Sequence, residues 1–322
     1  MTADAGERRW QGQPGRLEVW YATLTDPATG TGAWVHCETV APAGGGGGEA
    51  FGHGWAALFP IDGPPRWARF GPGPVNDSKT AWFDAAGCTV GPDRLVGSAG
   101  GSAADEMAWD LAYADDSPTL YTFPRWAWDG ESLPGGQVVP APQARFTGSI
   151  GGLSVTDAPG AVAHIYGHGN AQRWGWLHAD LGDGAVLEIV TAVSRAPGLR
   201  RLPPLAFVQL RRPGHDDWPG DSMAAASLFR TRLALPTWTV RGVVGRHRLR
   251  VEVAVPEERS IAVDYADPDG APAVCVNSER ADARIALDRL SGRRWVSEGA
   301  WDLRATAHAE VGRRPRAASV RK

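Results

Sequence analysis

The densest concentration of chemically versatile side chains is Gly167-His168-Gly169-Asn170-Ala171-Gln172-Arg173-Trp174-Gly175-Trp176-Leu177-His178-Ala179-Asp180. Read as a strand over Trp174–Leu181, its period of two puts Trp174, Trp176, His178 and Asp180 on one face and Gly175, Leu177, Ala179 and Leu181 on the other. Such a stripe inside a barrel would hold an apolar or cationic species. An indole face stabilises positive charge by roughly 0.5–2 kcal/mol, and a neighbouring His or Asp can move a proton. A second Trp-x-Trp, Trp126-Ala-Trp128, reads as a strand of the same kind, and Trp109 shares a strand face with Met107, Leu111 and Tyr113 while Glu106 and Asp110 take the other.

Competing chemistries lack their spacing. His164, His168 and His178 could only form a zinc site if three ligands converged, and a four-residue separation on a strand is too long for easy co-ligation, so no metal site is assigned. Gly97–Ala104 offers Ser98 and Ser102 but not the Gly-x-Ser-x-Gly elbow of a Ser-His-Asp hydrolase. Cys37, Cys88 and Cys275 are an odd number and far apart, forming neither a metal knuckle nor a disulfide framework, which fits a reducing cytoplasm.

The elements that position these residues follow from composition. Among 322 residues are 41 Gly and 25 Pro, which favour turns over long helices and argue against a helical bundle. Tryptophan is over-represented at 15, against 5 Tyr and 8 Phe; a GC-rich genome, also visible in the scarcity of lysine, present only as Lys79 and Lys322, accounts for part of that excess. A net charge of -3 gives no reason to expect nucleic acid. The basic stretch Arg313–Lys322 reads as a solvated tail. Met1–Trp10 has no apolar core of a secretory signal, and the best apolar run, Ala185–Val193, is short and broken by Glu188, so the sequence predicts a cytoplasmic protein without a membrane span.

Short alternating segments recur throughout, among them Leu17–Leu24, Ala33–Val40, Ala161–Gly167, Ala185–Val193, Leu249–Val255, Val274–Asn277 and Arg284–Leu290. Turn signals such as Gly71-Pro72-Gly73-Pro74, Gly182-Asp183-Gly184 and Asp269-Gly270 separate them, Gly44–Gly48 reads as a flexible loop, and Met223–Phe229 is the best helical segment. These strands are too many for one small barrel, so two are expected. The aperiodic, Pro- and Arg-containing segment Ser194–Pro204 suggests a boundary, giving domains 1–197 and 198–322 with the Trp/His stripe in the first.

Trp174-Gly-Trp176-Leu-His178 resembles the Trp-x-Trp-x-Gln strand of tocopherol cyclases, with His178 in place of glutamine, and Asn170 matches the asparagine of the Glu-Lys-Asn-Trp-Gly segment that precedes it. Looser similarity extends to Trp176–Val193, Phe123-Pro-Arg-Trp-Ala-Trp128, Leu235-Pro236-x-Trp238 and Trp301–Val311. The chain thus resembles the two-domain lipocalin-like (calycin) proteins that include tocopherol cyclase, carotenoid 1,2-hydratase, AttH-like proteins and lipocalin-like Diels–Alderases. That resemblance implies an all-β chain of two lipocalin-like antiparallel barrels packed side by side. It further implies a pocket for a hydrophobic polyene, terpenoid or prenylated small molecule, and a cofactor-independent cyclase, isomerase or hydratase reaction, protonation-initiated or pericyclic. A non-catalytic carrier of lipophilic ligands would use the same pocket. No Asp or Glu lies between Gly167 and Ala179, so His168 replaces the family's acid, with His178, Arg173 and Asn170 as the other catalytic candidates. Trp174, Trp176, Asp180, Trp109, Trp126 and Trp128 are the expected substrate-binding residues.

Overall fold

A computed structural model describes residues 5–44, 48–101, 106–130 and 134–315. Most of the Gly44–Gly48 loop, Ser102 and the end of the basic tail lie outside the described residues. The first sheet has eleven strands: β1 (Arg16–Thr25), β2 (Gly32–Ala41), β3 (Phe51–Phe59), β4 (Arg66–Pro74), β5 (Phe83–Ala85), β6 (Cys88–Val90), β7 (Arg94–Ala99), β8 (Met107–Ala114), β9 (Leu120–Tyr121), β10 (Gly135–Ile150) and β11 (Leu153–Gly167). The second has nine: β12 (Arg173–Gly182), β13 (Ala185–Val193), β14 (Leu205–Arg211), β15 (Phe229–Arg232), β16 (Thr237–Val244), β17 (His247–Ala254), β18 (Ile261–Ala266), β19 (Pro272–Ser291) and β20 (Arg294–Arg313).

Each sheet is antiparallel and curls into a nearly closed barrel. The first runs β4-β3-β2-β1-β11-β10-β8-β7-β6-β5, and a bridge between Val75 and Ala85 joins its two ends. The second runs β14-β13-β12-β20-β19-β17-β16-β15, with β14 and β15 in contact across the remaining gap. Closure removes the exposed edges that so many strands would otherwise present.

Sheet membership changes between Gly167 and Arg173, ahead of the division expected at 197/198. The hairpin β12–β13, turned at Gly182-Asp183-Gly184 and expected in the N-terminal domain, is hydrogen-bonded between β20 and β14 of the second barrel. Three other expectations change in the same way. Val274–Asn277 and Arg284–Leu290 are parts of the single strand β19, Gly71–Pro74 ends β4 instead of forming a free turn, and Trp126-Ala-Trp128 lies on the short helix α1 (Arg125–Asp129). Met223–Phe229 does contain the helix α2 (Ser222–Ala225) and a following 3-10 turn. No helix among the described residues is long and apolar enough to cross a membrane.

Both barrels have filled interiors. Trp20, Leu58, Phe83, Trp109, Leu111 and Phe146 pack inside the first, and Leu177, Ile189, Val208, Trp238, Val251 and Leu287 inside the second. A third apolar cluster, containing Tyr21, Trp34, Trp55, Trp174, Trp176 and Tyr265, lies where the outer faces of the barrels meet. Strand β2 shows the consequence: all ten of its residues are buried, Val35 and Cys37 by their own barrel and Trp34, His36 and Glu38 by the other. In β12 the same alternation sends Leu177 and Ala179 into the second core and Trp174 and Trp176 to the interface. Leu177→Ala should therefore cost about 2–5 kcal/mol, the usual range for a buried Leu truncation. Urea denaturation followed by circular dichroism measures it, with the ligand affinity of the folded protein unchanged.

Candidate active site between the barrels

A cavity of about 750 Å³ opens between the barrels, within the range of small-molecule sites. Its walls come from both: Leu17, Val19, Tyr21, Trp34, His36 and Gln137 from the first, and Trp174, Trp176, Val190, Phe207, Tyr265 and Glu310 from the second. The expected pocket inside a barrel is thus replaced by one outside both, because core side chains fill the barrel lumens.

Two glutamates fix the indoles. Trp174 Nε1 donates to Glu310 Oε1 at 2.6 Å, and Trp176 Nε1 donates to Glu188 Oε1 at 2.5 Å. Gly312, the cross-strand partner of Trp174, seats its ring; a Cβ at that position would fall on the indole. Trp176 meets Tyr21 edge-on at 5.2 Å, and Trp174 meets Tyr265 edge-on at 5.9 Å. Tyr21 and Tyr265 are buried, which pushes both phenols well above their usual range and keeps them protonated. For Tyr21 the carboxyl groups of Glu188, Glu310 and Glu279 add to the effect of burial.

Glu310 is the acid on the aromatic inner wall of the cavity, beside Trp174. Burial raises its pKa from 4.5 to about 7, against the opposing hydrogen bonds from Trp174 and from the Cys275 thiol, which donates to Oε2 at 3.2 Å. A group poised near neutral pH in an apolar site is suited to general-acid work. Across the interface, burial lowers His36 below its usual pKa despite the support of Glu38. Glu38 is itself an ionised carboxylate: burial opposes ionisation, but His36 Nε2 and His53 Nε2, each 2.9 Å away, hold it at about 2. With Nε2 of His36 bonded to that carboxylate, Nδ1 has no hydrogen-bond partner among the described residues and carries the lone pair of a base. The ring is stacked on Trp55 at 4.2 Å, so its orientation is fixed.

The residues singled out in the sequence are dispersed. Trp174, Trp176 and Asn170 line the cavity, Asn170 with its amide Nδ2 bonded to Asp267 at 2.8 Å. His178 is on the indole face but behind the wall, its Nδ1 3.0 Å from Glu188 Oε2. His168 lies on an exposed loop, 2.9 Å from an Arg16 nitrogen, and His164 is sunk in the first barrel against Glu18, so the two do not converge. Arg173 is exposed at the start of β12, and Asp180 is exposed at the hairpin, where it accepts from Gly182 N. Trp109 is core, Trp128 packs with Val138 and Tyr166, and Trp126 is 60% exposed. Glu310, Glu188, His36 and Tyr21 were not singled out. Strand alternation alone marks them as outward-facing, and only the second barrel makes that face an interior.

The family model described as tocopherol cyclase-like matches residues 134–313. The chain belongs to the tocopherol cyclase-like family. An uncharacterized protein of Mycobacterium tuberculosis is 50% identical over 322 residues, spanning 98% of this chain and 92% of its own. Among solved structures, CghA with Sch210972 superposes with a TM-score of 0.57 at 13% identity, covering 93% of this chain and 88% of that one. Kievitone hydratase from Nectria haematococca gives 0.54 at 10% identity, covering 97% and 92%. At these identities the likeness is one of fold, and the side-chain constellation of this tocopherol cyclase-like protein is its own.

Glu188 is the acceptor that several of those residues share. Besides Trp176 and His178 it accepts from Gln137 Nε2, a first-barrel residue, at 2.6 Å. Glu188→Leu should destabilise the protein by about 1–3 kcal/mol for each buried donor left without a partner. Chemical denaturation checks the loss, and Glu188→Gln, which keeps one acceptor oxygen, should lie between the two.

Proposed function

We propose that the inter-barrel cavity is the active site of a cyclase or hydratase that acts on a hydrophobic, polyene-like or prenylated substrate by protonating a carbon–carbon double bond. The observation that carries this reading is Glu310: a carboxyl group on the wall of an apolar cavity, its pKa raised to about 7, bonded to the indole of Trp174. Protonation by Glu310 breaks its O–H bond and forms a C–H bond, leaving a carbocation on the substrate and a carboxylate on the enzyme. Trp174, Trp176 and Trp34 present indoles to that cation, each worth roughly 0.5–2 kcal/mol. A second double bond or a substrate hydroxyl then closes a ring, or a water molecule adds. The proton released in either case goes to His36 Nδ1 or back to Glu310.

Membership of the tocopherol cyclase-like family and fold likeness to a hydratase support a reaction of this class. The aromatic walls favour a ligand whose bulk is apolar, and the phenols of Tyr21 and Tyr265 supply hydrogen-bond donors to a substrate oxygen.

The pH dependence follows from the two shifts. Glu310 holds its proton below about pH 7 and loses it above, so the donor form disappears as pH rises through that value. His36, lowered from 6.5, is a free base down to a pH below that value. Turnover should therefore peak slightly below neutrality and fall tenfold per pH unit on the alkaline side. Glu310→Gln should lower kcat by about 10²–10⁴, the range for a lost general acid, with substrate affinity within a few fold. Steady-state kinetics on polyene and prenylated phenol substrates, with ligand affinity from tryptophan fluorescence, measure both. Undiminished turnover in Glu310→Gln would refute the assignment, and binding without turnover of any such compound would make the protein a carrier.

A further inference from the structure

The mouth of the cavity differs from its interior. It is built by the segment Ser194–Leu205, the loop at Asn170 and the turn at Asp269, and it gathers three guanidinium groups, those of Arg195, Arg200 and Arg314. Two carboxylates oppose them. Asp269 Oδ2 lies 3.1 Å from Arg195 NH1 and 3.2 Å from Arg314 NH1, and Asp269 Oδ1 accepts from Ala271 N. Asp267 is buried, bonded to Arg314 NH2 and to both nitrogens of Asn170. Both acids are thus saturated by two arginines and the surrounding amides.

Arg200 is left over. Its Nε donates to Arg195 O at 2.7 Å, which anchors the side chain beside the opening, while its two terminal nitrogens have no hydrogen-bond partner among the described residues. The main chain holds it there through a 3-10 turn at Leu199–Arg201 that follows Gly198 at a φ of 86°. Burial, and then repulsion from Arg195 and Arg200, lowers the affinity of Arg314 for its proton, as expected where one positive charge is uncompensated.

We propose that the ligand of this cavity carries a carboxylate, which docks on the free fork of Arg200 at the mouth while its apolar body extends inward toward Trp176 and Glu310. The excess at the mouth is one unit of charge, three guanidiniums against two carboxylates, which matches a monoanion and leaves a phosphate dianion under-neutralised. A planar carboxylate also matches the two parallel N–H donors of a guanidinium. The inference rests on reading the inter-barrel cavity as the substrate site, and it narrows that substrate to amphipathic acids.

The test uses the full-length protein and cis-parinaric acid, a fluorescent polyene acid, beside its methyl ester. The acid should bind at least tenfold tighter than the ester. Arg200→Gln should weaken the acid about tenfold and leave the ester unchanged, Arg200→Lys should fall between, and Arg201→Gln, which alters an exposed neighbour outside the cavity, should change neither. Equal affinities of acid and ester, or equal losses for Arg200→Gln and Arg201→Gln, would overturn the carboxylate assignment and leave the apolar cavity standing. Absence of binding by both probes would overturn the cavity reading along with it. Dodecyl phosphate binding tighter than dodecanoate would overturn the choice of a monoanion.

Discussion

Glu188 leaves β13 on the face turned away from its own barrel and accepts hydrogen bonds from Gln137 of the first barrel and from Trp176 and His178 of the second. A polar group removed from water is costly unless its atoms are hydrogen-bonded, and here satisfaction requires the two barrels to meet in one register. Thr23 bonded to Glu279, and Thr25 at 3.4 Å from His308, repeat that demand farther along the interface. Sliding one barrel against the other would strand several buried polar groups at once. The position of the cavity, and of every side chain on its walls, follows from this docking.

The buried acids of the interface resolve into different states because their partners differ. Glu38 has two imidazoles at 2.9 Å and remains an anion despite full burial. Among the described residues Glu310 has only an indole N–H and a thiol as partners, which are too weak to offset burial, and so it retains its proton up to about pH 7. Burial raises Glu279 as well, and His308 beside it is driven down to about 3 by burial and by His178, so that pair is neutral. An ionised acid orienting a neutral histidine on one wall and a protonated acid on the other is the separation of roles that proton-transfer chemistry requires. It arises here from neighbours and not from any difference between the glutamates themselves.

What the sequence disclosed and what it hid divide along the same physical line. Alternation in Trp174–Leu181 was legible, as was the hairpin at Gly182–Gly184, because both are local. The two Trp-x-Trp segments have the same spacing, yet one lies on β12 at the cavity and the other on α1 with Trp126 in solvent. Period alone cannot separate a short helix from a strand over three residues. Glu310 is 136 residues from the indole it holds, and Trp34, His36 and Glu38 look like the polar outer face of an ordinary barrel strand. The place where sheet membership changes lies elsewhere than the expected domain division for a related reason. The aperiodic Ser194–Pro204 marks a loop at the cavity mouth and not the passage from one barrel to the next, which the shorter stretch after Gly167 accomplishes.

Placing the site between the barrels also separates two demands that a single barrel would set against each other. A lumen that binds a large ligand must stay unfilled, which removes the side-chain packing that stabilises the barrel. Here Trp109, Phe146, Trp238 and Val251 fill the lumens, so each barrel keeps a close-packed interior whatever occupies the cavity outside. The outer faces are then free to carry polar and aromatic residues at alternate positions, as β2 does with Trp34, His36 and Glu38 and β12 with Trp174, Trp176 and His178. The two faces of each strand thus carry separate tasks, the inward one packing its own barrel and the outward one the docking of the two barrels and the walls of the cavity. A two-barrel frame with filled lumens can therefore keep its architecture across chains that share only 10% to 13% identity, as between this protein and the solved structures it superposes on.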